Sequence, residues 1–84
     1  MALNKNDQTS DGIADLYRAS YYLAKQSKDV GLMFLKRSKA KLGPKMILDF
    51  GFINKENVLR KSTDFNFWAE KVLDEYKRLK MSLS

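Results

Sequence analysis

Eighty-four residues of 9.7 kDa, 44% hydrophobic and 31% charged, make one small domain with enough apolar material for a core. Neither cysteine nor histidine occurs, which removes disulfides, thiolate nucleophiles, cysteine and histidine zinc sites and the commonest general base. Sixteen Lys and Arg against ten Asp and Glu leave a net charge of +6, which favours acidic partners.

Residues 1–9 are polar and read as a loose tail, with a single domain over 10–84. The start of the chain lacks the apolar stretch of a signal peptide, and no run is long enough to span a bilayer. A soluble, cytoplasmic protein is expected. From Ile13, the residues Leu16, Tyr17, Tyr21, Leu23 and Ala24 recur at helical spacing. They predict a first helix that turns Asp15, Arg18, Tyr22, Lys25 and Gln26 to water, capped by Ser10 or Asp11. Ser27 or Asp29 offers a cap for a second helix over 30–42, so a break is favoured there over the alternative of one continuous helix from Asp11 to Leu42. Gly43-Pro44 marks its end, because glycine accepts the left-handed cap conformation and proline cannot continue the ladder.

Two short helices are expected next, one from Pro44 to Phe50 stopped by Gly51 and one from Asn54 to Lys61. Leu48, Phe50 and Phe52 alternate as in a strand, but no second strand-like run exists to pair with them. After the capping cluster Ser62-Thr63-Asp64 comes the most regular pattern. Phe65, Trp68, Ala69, Val72, Leu73, Tyr76, Leu79 and Leu83 form one stripe, opposite Glu70, Lys71, Asp74, Lys77 and Arg78. Asp74 and Arg78 are spaced for an i,i+4 ion pair. The expected fold is all-α, a bundle of four to five helices whose last helix is strongly amphipathic.

Four consecutive large apolar residues follow Gly31, namely Leu32, Met33, Phe34 and Leu35. On a helix they point in every direction, so one bundle core cannot take them all. Either the rest of the domain surrounds this helix or another protein covers it. The second alternative makes Val30, Leu32, Met33, Phe34 and Leu35 a protein interface, with Gly31 allowing close approach of a neighbouring backbone. The expected function is a small, basic, non-enzymatic helical interaction module, self-associating or seated on a larger protein.

Charge points to an alternative. Between Arg18 and Lys45 stand eight cations, Arg18, Lys25, Lys28, Lys36, Arg37, Lys39, Lys41 and Lys45, against the one acid Asp29. With Tyr22 as a stacking contact, they make a candidate nucleic-acid surface. Helix C-termini and solvated faces also attract lysines, and these cations spread around the helix rather than along one stripe. A helix-turn-helix centred on Gly51 fails in register, because Asn57 and Arg60 would occupy positions that need apolar residues. The apolar and basic runs are consecutive rather than on opposite faces, which argues against a membrane-surface helix. Carboxylate pairs occur at Asp11/Asp15 and Glu70/Asp74, on faces expected to be wet. No phosphate loop, nucleophile elbow or metal-ligand spacing is present, so neither catalysis nor a cofactor is expected.

Overall fold

A computed structural model describes the backbone of residues 2–47 and 59–83, and side chains over 9–47 and 59–82. Three α-helices account for most of it: α1 (Ala2–Ala24), α2 (Lys28–Leu42) and α3 (Ser62–Leu83), with one 3₁₀ turn at Gly43–Lys45. No strand occurs among the described residues. Helix α1 lies between the other two and packs along both, whereas α2 and α3 barely touch each other. The described chain measures 43 × 19 × 19 Å.

The break between α1 and α2 is present, but Gln26 makes it. Gln26 takes φ 64°. The Ser27 N–H donates to the Tyr22 carbonyl at 2.8 Å and the Gln26 N–H to the Leu23 carbonyl at 2.9 Å. That pair of bonds is a Schellman motif, with glutamine at the left-handed position where glycine is usual. Ser27 follows as the N-cap of α2 through its carbonyl, which accepts the Gly31 N–H, while its hydroxyl makes no capping bond. At the other end of α2 the chain stops at Gly43-Pro44 as expected, but Gly43 adopts φ 55° and ψ −128°, a positive φ outside the left-handed helical conformation, and Pro44 follows it into the turn.

Helices α1 and α2 form an antiparallel hairpin with close contact at both ends. A side chain at Gly12 would stand 2.7 Å from Leu42 Cγ, and one at Gly31 would stand 2.7 Å from Leu23 Cδ2. The approach that Gly31 permits is therefore used by α1 of the same chain. Between these points lies the core, with Leu16, Ala19, Leu23 and Leu35 at its centre. From α3 come Phe65, Trp68, Val72 and Leu79, as the stripe predicts. Met46 and Leu59, on either side of the segment 48–58, are buried with them.

Several expectations change. Helical backbone reaches back to Ala2, so residues 2–9, expected as a tail, belong to α1; Thr9 is buried and accepts a hydrogen bond from Lys45 Nζ at 3.1 Å. Among the described residues there are three α-helices, and the expected count of four to five is not reached there. Met46 and Ile47 leave the 3₁₀ turn in non-helical backbone, and Leu59 to Lys61 are non-helical as well. The rest of the two short helices, and Gly51, fall outside the described residues. The buried arc of α1 is also rotated from its expected position: Asp15 is inside, while Tyr17, Tyr21 and Ala24 are outside. The cause is its two neighbours. A helix packed on two sides buries a wider arc, and the polar residue that falls within it is retained if it finds partners.

Candidate interaction surface

Asp15 finds three partners. Its carboxylate is fully buried and lies 2.9 Å from Arg18 Nη1, 3.0 Å from Lys41 Nζ and 3.9 Å from Arg37 Nε. Two of these cations come from α2, so the carboxylate joins the hairpin in addition to its apolar contacts. The same arginines flank Phe34, their guanidinium carbons 6.0 Å (Arg18) and 5.7 Å (Arg37) from the ring centre. Tyr22 stacks on that ring at 5.7 Å and 12°. One face of the hairpin thus combines Arg18, Tyr22, Phe34, Arg37 and Lys41 above a single buried carboxylate. Tyr22, expected outward, is half-buried by this stack.

The remaining cations of the basic stretch do not join that cluster. Lys36 and Lys39 are exposed on α2, and Lys28 is half-buried at its start. Lys45 turns to Thr9. Lys25 lies 4.9 Å from the Tyr21 ring, on the far side of α1, and the tyrosine side chain raises its pKa. The cations therefore divide among three places.

The apolar run of α2 divides as well. Leu32 and Leu35 enter the core of the protomer, and Phe34 packs at its edge. Val30 and Met33 stay 37% and 43% exposed, beside Lys36 and Arg37. A shallow depression lined by Lys28, Asp29, Leu32, Met33 and Lys36 lies on this side.

Sequence reasoning missed Glu75. It is buried on α3 and holds Arg78 in a fork, accepting from Nε and Nη2 at 2.9 Å each, and it also accepts the Ile47 N–H at 2.7 Å. Arg78 Nη2 donates in turn to the Lys45 carbonyl at 2.8 Å. Arg78 thus turns to Glu75, not to Asp74, and the pair fastens the exit of α2 onto α3. The side-chain bond to Glu75 raises the Arg78 pKa. At the start of α3, Asp64 accepts the N–H groups of Lys61 (3.1 Å) and Arg60 (3.2 Å), and these bonds lower its pKa. It serves as the reciprocal half of a capping box, three residues inside the helix.

A second surface lies between α1 and α3. There Tyr17, Ser20, Tyr21, Ala24, Asn66, Ala69, Glu70 and Leu73 line a groove of about 420 Å³. Tyr17 tilts against Tyr76, their ring centres 5.3 Å apart. No described helix is long and apolar enough to cross a membrane, and among the described residues no cluster of three or more acidic side chains is placed to hold a metal ion. No protein family, curated protein or solved structure matches the chain.

Proposed function

We propose that the chain is a small, non-enzymatic helical interaction module that acts by occupancy, its contact helix being α2 and its partner an acidic protein surface. The supporting observation is the distribution of charge over the helices. Over Lys28 to Lys45 six cations face the one acid Asp29, whereas α3 carries four of each sign and α1 has two cations against three acids. The outward side of α2 adds Val30 and Met33 to that charge, and a contact needs both apolar area and complementary potential. Of the five residues expected at an interface, these two and the edge of Phe34 remain available. The concentrated charge works against pairing of α2 with its own copy, so a different chain is the favoured partner over self-association.

Affinity capture with the purified chain tests this, comparing wild type with Met33→Glu and with Lys36→Glu/Lys39→Glu, whose lysines are exposed on α2 and outside the Asp15 cluster. Both variants should keep their far-UV circular dichroism and lose the same acidic partner. Retention of that partner by either variant refutes the reading. A second reading, nucleic-acid binding, is favoured by one feature: the Tyr22–Phe34 stack bracketed by Arg18 and Arg37 resembles a base-stacking platform with phosphate contacts at its rim. Labelled single-stranded and duplex oligonucleotides should then be retained at about 100 mM salt, with affinity falling steeply as salt rises. Absence of retention eliminates it.

A further inference from the structure

We propose that Arg18 and Arg37, held beside Phe34 by the buried Asp15 carboxylate, form a phosphoryl-binding site that seats the phosphate of a phosphoserine or phosphothreonine in the partner's acidic surface. The site extends the α2 contact and presupposes that reading. Helical spacing builds it. On α1, Asp15, Arg18 and Tyr22 follow at steps of three and four, and on α2 Phe34, Arg37 and Lys41 do the same. Each set therefore lies along one side of its helix, and the hairpin brings the two sides together. Both guanidinium carbons stand close to one ring, 6.0 Å (Arg18) and 5.7 Å (Arg37) from the centre of Phe34, so the two arginines share one small patch.

Donors and charge select the ligand. A guanidinium carries five N–H donors in a fixed fork. Arg18 gives one of them, at Nη1, to Asp15, and Arg37 approaches the same carboxylate at 3.9 Å, beyond hydrogen-bond range. Among the described residues neither arginine makes a further hydrogen bond or ion pair, and both are half exposed. Three cations, Arg18, Arg37 and Lys41, share the single negative charge of Asp15, so two positive charges remain uncompensated. A phosphomonoester brings about −1.5 to −2 at pH 7 on three acceptor oxygens, whereas an aspartate or glutamate of the partner brings one charge on two oxygens. Arginine forks also match phosphate geometry, each able to donate two parallel bonds. The carboxylate beneath and the ring beside them restrain both side chains before the ligand arrives, which reduces the rotamer freedom lost on binding.

Three short peptides, identical but for a central phosphoserine, aspartate or serine, are titrated into ¹⁵N-labelled protein while the arginine Nε–H resonances are followed. The phosphoserine peptide should move those of Arg18 and Arg37 along a saturable curve and bind at least about tenfold more tightly than the aspartate peptide. Arg37→Gln should weaken its binding at least about tenfold at a melting temperature within a few degrees of wild type. Arg37→Lys, which keeps the charge without the fork, should recover only part of that loss. Equal affinity for the phosphoserine and aspartate peptides overturns the phosphoryl site and leaves the acidic contact of α2 standing. Absence of saturable shifts at millimolar phosphoserine peptide overturns it too, as does unchanged affinity in Arg37→Gln. A single-stranded oligonucleotide that saturates the same resonances more tightly than the phosphoserine peptide also overturns it, since it assigns the patch to a phosphodiester backbone. Failure of the α2 reading itself shows separately, as an acidic partner still captured by Lys36→Glu/Lys39→Glu.

Discussion

Replacing Asp15 by asparagine tests whether one buried carboxylate holds the hairpin together. The side chain keeps its size and loses its charge, so the core contacts of α1 are unaltered. Two of its contacts are charge-assisted hydrogen bonds, from Arg18 at 2.9 Å and Lys41 at 3.0 Å, and the third, from Arg37, is an ion pair at 3.9 Å. A hydrogen bond to a charged group contributes about 1.5–3 kcal/mol when sheltered and about 0.2–1 kcal/mol when its partner is well exposed. Arg18 and Arg37 are half in water and belong near the lower range, whereas Lys41 is mostly sheltered. Asparagine can still accept one bond, and the freed cations can rehydrate. The net loss for Asp15→Asn is then about 2–3 kcal/mol, below the ~3–5 kcal/mol for stranding a fully buried charge. In a domain of this size, that lowers the melting temperature by roughly 10–20 °C. Arg18→Gln should cost less than about 1 kcal/mol, and more of its effect should vanish in high salt. Urea unfolding of the two single variants, Lys41→Met and the double variant Asp15→Asn/Lys41→Met gives the coupling energy directly. A melting temperature for Asp15→Asn within a few degrees of wild type, or zero coupling to Lys41, refutes the clamp.

Three other outcomes follow from the geometry. Gln26→Gly relieves a side chain from φ 64° and should stabilise by about 0.5–1 kcal/mol, read as a rise in urea midpoint at constant m-value. Gly12→Ala gains about 1 kcal/mol of helix propensity. It also places a methyl 2.7 Å from Leu42 Cγ and 3.1 Å from Lys41 Cβ, where overpacking costs about 1–3 kcal/mol. Net destabilisation is expected, and a melting temperature above wild type would show the hairpin to be looser than described. Asp64, whose pKa is lowered by the N–H groups of Lys61 and Arg60, contributes above the ordinary carboxylate range and loses that contribution as pH falls through its depressed folded value. The Lys61 and Arg60 amide resonances should report this titration, and Asp64→Asn should remove it.

What the sequence discloses and what it conceals differ by element. Helix α3 is legible because its stripe is strictly periodic and one-sided: Phe65, Trp68, Val72 and Leu79 are all in the core. The end of α2 is equally legible, since Gly43-Pro44 acts through local backbone chemistry. The arc of α1 is not, because the hydropathy pattern assigns Asp15 to water and Tyr17 and Tyr21 to the core. Asp15 and Glu75 are kept inside by partners far along the chain, Lys41 for one and the Ile47 N–H for the other, and such pairings leave no local trace. Gln26 carries no turn signature, and the left-handed position is imposed by the close approach of the two helices it joins. The four-residue run Leu32 to Leu35 shows only that one face must be left over. That Met33 is the exposed member follows from where α1 lies.

The position of α1 also determines how the two flanks of the bundle are coupled. Among the described residues, α2 and α3 are joined by α1, which packs along both, and by the Glu75–Arg78 pair at the exit of α2. Asp15 lies on one flank of α1 and Tyr17, two residues on, projects from the other, so a roll of this one rod displaces both flanks together.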